Sequence, residues 1–357
     1  FLMPEDDPEA MESRNFFYSQ LKNVPKEKIP ERLYQYASLM LTDTVYPKNE
    51  KESMTFFKLA ADLGHTKAMY HYAILTKNKE EEYKYIKMSC DKGDPRGMYL
   101  YGDLLNEGIN CAQDENKAIE YYTMSAEKGN DSAMNKLGVA YQTGKGKPVD
   151  YKEALKYYIA AAEKGNCEAF YNLGVMYRLG QGVPVDLKKS FDYFKKSADL
   201  GYGAAMNNLG ASYENGDCVP IDYEKALEYY HMGAEKGDGA SFCNIGAMYM
   251  TGKGVPINHK EAFEYFKISA DKGWPIALHN LELFKEADKK GDIEAPGCIG
   301  KMILQGQVKK EEIKELFEFV KKKADSGNLS AICACSGFYL QGKVVPQNFE
   351  LAAKYVK

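Results

Sequence analysis

The sequence predicts an all-α chain of about nine helical hairpins of 36 residues each, and three observations carry that reading. Ala-x-x-Gly returns at a fixed step, ending at Gly129, Gly165, Gly201, Gly237 and Gly273, each 36 residues after the last. Small and aromatic residues recur at constant distances from those glycines, with helical spacing. Two glycines, a proline and an aspartate or asparagine punctuate each unit at the same place. A period in this range is the signature of a solenoid, whose units bury a core only by stacking on their neighbours.

Helix A opens each unit. Four residues after the anchor glycine stand Ala133, Ala169, Ala205 and Ala277. Leu137-Gly138, Leu173-Gly174, Leu209-Gly210 and Ile245-Gly246 follow, then Tyr141, Tyr177, Tyr213 and Tyr249. Steps of four, four and three place these residues on one helical face. The central glycines cost about 0.8–1 kcal/mol each relative to alanine, which predicts a neighbouring helix crossing the bare backbone there.

The turn comes next. Gly144-Lys145-Gly146, Gly180-Gln181-Gly182 and Gly252-Lys253-Gly254 supply permissive backbone, and Pro148, Pro184, Pro220 and Pro256 stiffen it. Asp150, Asp186, Asp222 and Asn258 then stand as N-caps of helix B, and Asp150 with Glu153 and Asn258 with Glu261 read as capping-box variants. These glycine pairs lack the strand and the terminal Lys-Ser/Thr of a phosphate loop.

Helix B carries Ala118, Ala154, Ser190, Ala226 and Ala262, then the aromatic pairs Tyr121-Tyr122, Tyr157-Tyr158, Tyr193-Phe194, Tyr229-Tyr230 and Tyr265-Phe266. The next anchor glycine ends it. The aromatics at these places are read as core.

The step reaches outward to Gly93 and to Gly291 and Gly327, with two exceptions. Gly64 to Gly93 is 29 residues, a shortened unit, and Gly273 to Gly291 is 18, half a unit. Length alone would suggest two or three domains; the period argues for one elongated domain. Its parts are an N-terminal capping segment over 1–30, a regular array over 31–272 with the shortened unit at 64–93, an irregular junction over 273–300, and C-terminal repeats over 301–357. A start at Phe1 and a stop at Lys357 inside a helix B suggest an excerpt of a longer chain, in which targeting signals would not appear.

The stretch from Gly165 through Tyr171-Asn172-Leu173-Gly174-Val175-Met176-Tyr177 and Gly180-Gln181-Gly182-Val183-Pro184 to Ser197-Ala198-Asp199-Leu200-Gly201 resembles a Sel-one-like repeat, a branch of the tetratricopeptide-like solenoids. The resemblance covers about residues 30–357. It implies a right-handed α/α superhelix with the A helices along a concave side, and an adaptor or scaffold role without catalysis. Its alternatives are an extracytoplasmic hydrolase-like or glycan-binding member of the family, and a regulatory repeat segment of a larger enzyme.

A net charge of −4 argues against nucleic acid as a partner, and no apolar run approaches the roughly 18 residues of a membrane span. Eight cysteines fall at offsets that do not recur as pairs, so they read as free thiols of a cytoplasmic or other reducing compartment. The five histidines show no metal-ligand spacing, and no nucleophile motif accompanies them. No catalytic residue, metal or cofactor is therefore assigned. The sequons at Asn130 and Asn328 matter only in a secreted chain.

Binding is placed on the variable positions of helix A. Asn172, Asn208, Asn244 and Asn280 occupy one offset in four successive units. A ladder of amides offers donors and acceptors to the backbone of an extended peptide; the competing reading is that each asparagine bonds the neighbouring repeat. Tyr171, Arg178, Asn207, Glu214, Met250, Trp274 and His279 surround the ladder. Trp274, the sole tryptophan, is either an anchor for a partner or a plug at the irregular junction. The expected partner is a protein or peptide.

Overall fold

The computed structural model describes residues 19, 21–42, 49–273, 295–304 and 313–355. Trp274, His279 and Asn280, with most of the half-unit junction, lie outside them. The chain forms two compact units, Phe1–Asn166 and Cys167–Lys357.

In the first unit a 3₁₀ turn, Lys26–Lys28, precedes eight helices: α1 (Ile29–Thr42), α2 (Glu50–Asp62), α3 (Thr66–Leu75), α4 (Lys79–Asp91), α5 (Pro95–Glu107), α6 (Glu115–Glu127), α7 (Asp131–Thr143) and α8 (Tyr151–Glu163). The second unit holds α9 (Cys167–Leu179), α10 (Leu187–Asp199), α11 (Gly203–Asn215), α12 (Tyr223–Glu235), α13 (Gly239–Thr251), α14 (His259–Asp271), α15 (Ala295–Leu304), α16 (Ile313–Asp325), α17 (Leu329–Gln341) and α18 (Phe349–Lys354). Among the described residues every regular element is a helix. Odd-numbered helices from α3 to α13 are the A helices, and each packs chiefly on the B helix that follows it.

The hairpin closes by a repeated set of bonds. Gly144, Gly216 and Gly252 end helix A in the left-handed region at φ of 78°, 77° and 76°, where L side chains are strained. Asp150 Oδ1 then accepts from the N–H of Lys152 and Glu153 at 2.9 and 3.1 Å. The N-cap residue's own N–H is spent on helix A: Asp150 donates to the Tyr141 carbonyl at 2.9 Å, Asp186 to Tyr177 at 2.9 Å and Asp222 to Tyr213 at 3.0 Å. The reciprocal arm of a capping box is thereby displaced, because the hydrogen it would take already ties the two helices together. Across the other end, the Ser197 and Ser269 hydroxyls donate to the carbonyls of Cys167 and Gly239, at 2.7 and 2.8 Å.

The aromatic pair of helix B divides its labour. The second member is the core: Tyr122, Tyr158, Phe194, Tyr230 and Phe266 are all under 5% exposed. Each ring lies on the bare glycine of the preceding helix A. A Cβ built at Gly138 would stand 2.5 Å from the Tyr158 ring, and one at Gly210 2.6 Å from Tyr230. Burial of such a side chain stabilises by roughly 1.5–3 kcal/mol, which outweighs the propensity lost at the glycine. The first member is half-buried and, from Tyr157 on, stacks on the last tyrosine of helix A: Tyr177–Tyr193 centroids are 5.6 Å apart, Tyr213–Tyr229 5.6 Å and Tyr249–Tyr265 5.8 Å, whereas Tyr121 meets Tyr101 edge-on at 4.9 Å. A sequence reading that puts both members in the core is thus corrected for the first.

The shortened unit loses its residues from two places. Helix α3 has 10 residues where the later A helices have 13, and only Thr76, Lys77 and Asn78 link it to α4. Without the long turn, Asn78 caps α4 directly, accepting from the N–H of Glu80 and Glu81. His65 caps α3, its Nδ1 accepting from Ala68 N–H at 3.1 Å while Nε2 meets Glu31 at 2.9 Å. Both sequon asparagines are helix caps as well: the Asn130 and Asn328 side-chain carbonyls accept from Ala133 and Ala331 at 2.8 and 2.9 Å.

Candidate functional site

The variable positions of helix A in the second unit lie on α9, α11 and α13, one helix per repeat. Core positions such as Leu173, Leu209 and Ile245 fix the rotation of each helix and so leave these positions off the buried stripe. Tyr171, Asn172, Asn207, Asn208, Glu214, Asn244 and Met250 are half-buried, and Arg178 is exposed.

The asparagines do not form one uniform ladder. Asn208 Nδ2 donates to the Ala204 carbonyl of its own helix at 2.8 Å, and its Oδ1 accepts from Arg178 Nη1 of α9 at 2.7 Å. Asn244 Nδ2 donates to Asn207 Oδ1 of α11 at 2.8 Å. The three A helices are therefore stitched by side chains on this face, Arg178 to Asn208 on one side and Asn244 to Asn207 on the other. Asn172 lies one repeat earlier on α9, and Met250 packs against the C-terminal core around Phe266 and Phe338.

Tyr171 sits beside this network, its ring 5.7 Å from Phe194 and 5.2 Å from Tyr202. Burial holds its phenol above the ordinary tyrosine range; a hydrogen bond with Asn208 and the Arg178 charge pull the other way. Burial also pushes Tyr202 up to about 12. Both hydroxyls stay protonated at neutral pH.

Glu214 has two partners within the chain. It accepts from the Tyr230 hydroxyl at 2.8 Å, and Lys253 Nζ lies 2.8 Å from its other oxygen. Lys253 is the residue that sequence reasoning missed, since it stands between the two turn glycines and Lys145 shares its place. A second pattern escaped notice too. In two units whose buried aromatic is tyrosine, the acceptor stands at the Glu214 offset: Tyr158 donates to Gln142 at 2.6 Å, as Tyr230 does to Glu214, whereas Tyr122 uses Asp103, three residues earlier on its helix A. Where it is Phe194 or Phe266, that offset holds Arg178 or Met250. The pairing of types was visible in the sequence, though the contact behind it was not.

In the first unit the same face is more fully self-paired. Asp103 accepts from Tyr122 at 2.6 Å and pairs with Lys136 at 3.4 Å, and Arg96 lies over Tyr70 at 4.5 Å while pairing with Asp94. Among the described residues no group of histidine, cysteine and acidic side chains is arranged to hold a metal. No described helix is long and apolar enough to cross a membrane.

Stacked helical hairpins with a polar, side-chain-rich A face define a helical-repeat protein of the tetratricopeptide-like class. Residues 33–65, 95–130, 131–166, 168–202, 203–238, 243–274 and 330–357 match the Sel1 repeat model, and the chain belongs to the Sel1 repeat family. Among solved structures it is similar to a protective antigen of uropathogenic Escherichia coli strains displaying an SLR fold, at 24% identity over 94% of this chain and 78% of that one, with a TM-score of 0.56. It is also similar to a Sel1 repeat protein from Oxalobacter formigenes, at 22% identity over 84% of this chain and 94% of that one, TM-score 0.48. The first likeness shows the shared fold. Among curated proteins none matches the chain. Sel1 repeat proteins typically mediate protein–protein interaction, and their scaffold is generally non-enzymatic.

Proposed function

We propose that this chain is a non-enzymatic adaptor that holds an extended segment of a protein partner across α9, α11 and α13. The observation that carries the reading is the Asn244–Asn207 pair. One bond links the two amides across a repeat boundary, and among the described residues the Asn207 N–H donors and the Asn244 carbonyl have no other partner. Spare donors beside a spare acceptor, held rigid on helices, match the alternating groups of a peptide backbone. Tyr171 supplies half-buried aromatic surface next to them, of the kind favoured at binding hot spots. The proposed face includes Asn172 and Met250; Asn280, Trp274 and His279, proposed from the sequence alone, lie outside the described residues. A reducing compartment is proposed with it, supported by free thiols at Cys90, Cys111, Cys167, Cys218, Cys243, Cys333 and Cys335.

The test is to replace Asn207 and Asn244 together with alanine and compare partner capture from source-cell lysate with that of the unchanged chain. The expected result is loss of specific partners, with a thermal midpoint lowered by no more than about 2–4 °C, the equivalent of one ordinary hydrogen bond. Unchanged capture would refute the reading. Collapse of the fold would assign the pair to stability instead.

A further inference from the structure

In two units of the C-terminal half, the first aromatic of helix B meets two rings of its helix A. Tyr193 stacks on Tyr177 and lies 6.4 Å from Phe170, and Tyr265 stacks on Tyr249 and lies 6.5 Å from Phe242. A lysine covers each phenylalanine: Lys196 Nζ is 5.8 Å from the Phe170 ring and Lys272 Nζ 5.5 Å from that of Phe242. In the unit between them Tyr229 stacks on Tyr213, but the place of the phenylalanine holds Met206 and the place of Lys196 holds Met232. Met206 is 3% exposed where Phe170 and Phe242 are half-buried, so it is turned inward and does not refill the space a ring would take. A cavity of about 600 Å³ opens there between α10, α11 and α12, lined by Met206, Tyr213, Lys225, Tyr229, Met232 and Lys236. We infer that this cavity is the receptor for an aromatic side chain of a partner protein. The flanking units supply that ring from within, and this unit takes it from outside.

Size and chemistry agree with that occupant. An apolar cavity of about 150 Å³ suffices for a benzene ring, so the space takes a ring together with the backbone that carries it. Met232, 38% exposed, and Tyr229 offer thioether and π surface, which favour an aromatic guest over an aliphatic one. The rim complements a ring electrostatically as well. Lys225 Nζ lies over Tyr213 at 5.5 Å, and Lys236 occupies the place from which Lys272 covers Phe242, so the negative face of a guest ring meets cations. Asp199 and Glu228 stand on the same rim and oppose a carboxylate, which selects a side chain within a peptide over a free aromatic acid. The cavity is apart from the Asn207–Asn244 pair. Met206 and Tyr213, seven residues apart, share one side of α11, about 100° around the helix from Asn207.

The experiment is an NMR titration of the full chain, carbon-labelled at its methionine methyls, with three probes: Gly-Phe-Gly and Gly-Leu-Gly capped at both ends, and phenylacetate. The expected result is a saturable shift of the Met206 and Met232 methyls by the phenylalanine peptide, in the millimolar range open to a single ring. The leucine peptide and phenylacetate should bind about tenfold more weakly. Met206→Phe installs the residue of the flanking units; with its fold checked by circular dichroism, it should abolish the Met232 shift. Met232→Ala, at an exposed position, should weaken the phenylalanine peptide about fivefold, and it carries the comparison should Met206→Phe unfold. No shift up to the solubility limit, an undiminished shift in Met206→Phe, unchanged affinity in Met232→Ala, or equal binding of the leucine peptide would each overturn the aromatic receptor. Phenylacetate binding more tightly than the peptide would overturn the side-chain occupant in favour of a free aromatic acid. None of these outcomes touches the Asn207–Asn244 face, whose test is partner capture.

Discussion

A glycine in mid-helix and a ring thirty residues from the anchor look like unrelated features until they are seen in contact. Gly210 is bare because the Tyr230 ring rests on it, and a Cβ there would also stand 3.0 Å from the Ala226 carbonyl, which belongs to the backbone and cannot swing aside. Gly210→Ala ought to gain about 0.8–1 kcal/mol of helix propensity. We expect it instead to destabilise by about 1–3 kcal/mol through overpacking, read as a lower urea midpoint with an unchanged slope. A stabilised variant would mean that the ring yields and that the contact does not set the spacing of α11 and α12. The glycine's cost was legible in the sequence, and so was the aromatic offset. What stayed hidden was the partner of Glu214, Lys253, because that link spans 39 residues in the chain and joins one unit to the turn of the next.

At the scale of the element, the turn between helices A and B is the same object in every full-length unit, which is why its glycines, proline and cap could be read in order. Its exceptions are the instructive part. The second turn glycine is left-handed at Gly146 and Gly182, with φ of 64° and 73°, but the same place holds Asn110 at 55° and Cys218 at 60°. Asparagine tolerates this region; cysteine has no local bond to offset the strain of about 1–2 kcal/mol. Cys218→Gly should therefore stabilise the chain by about 0.5–1 kcal/mol, once the greater freedom of glycine in the unfolded state is subtracted. Thermal unfolding under reducing conditions would measure it, and a loss of stability would show that the thiol contributes packing that outweighs the backbone. The unequal fate of the aromatic pair has a similar lesson. Offsets one residue apart differ by about 100° around a helix, enough to put Tyr230 in the core and leave Tyr229 stacked at its edge on Tyr213.

Across the whole molecule, the period spells out what every repeat shares, and the fold consists of shared features, so it was legible. A binding face consists of what differs between repeats, and only coordinates sort Arg178, without an ion pair among the described residues, from Glu214, already occupied. Repetition also multiplies one chemical property. Tyr122, Tyr158 and Tyr230 are buried, and burial raises each phenol above the ordinary range, helped at Tyr122 by the Asp103 hydrogen bond and at Tyr230 by the Glu214 charge. Cys90 and Cys335 are pushed up to about 11 by burial in the same way. All five groups hold their protons in the folded chain at pH values where the unfolded chain has released them. The unfolded state then binds fewer protons, and stability falls as pH rises. The loss begins near the unfolded thiol value of about 8.5 and steepens past the unfolded tyrosine value of about 10, where each buried phenol costs about 1.4 kcal/mol per pH unit. The thermal midpoint should thus be level around neutrality and drop sharply above about pH 10, with phenolate absorbance from the buried tyrosines appearing together with the loss of helix. Tyr158→Phe should move that drop to higher pH. Phenolate absorbance reaching its full value while helix content is retained would show that the buried rings ionise in place, and the repeated core would then be more open to water than its packing indicates.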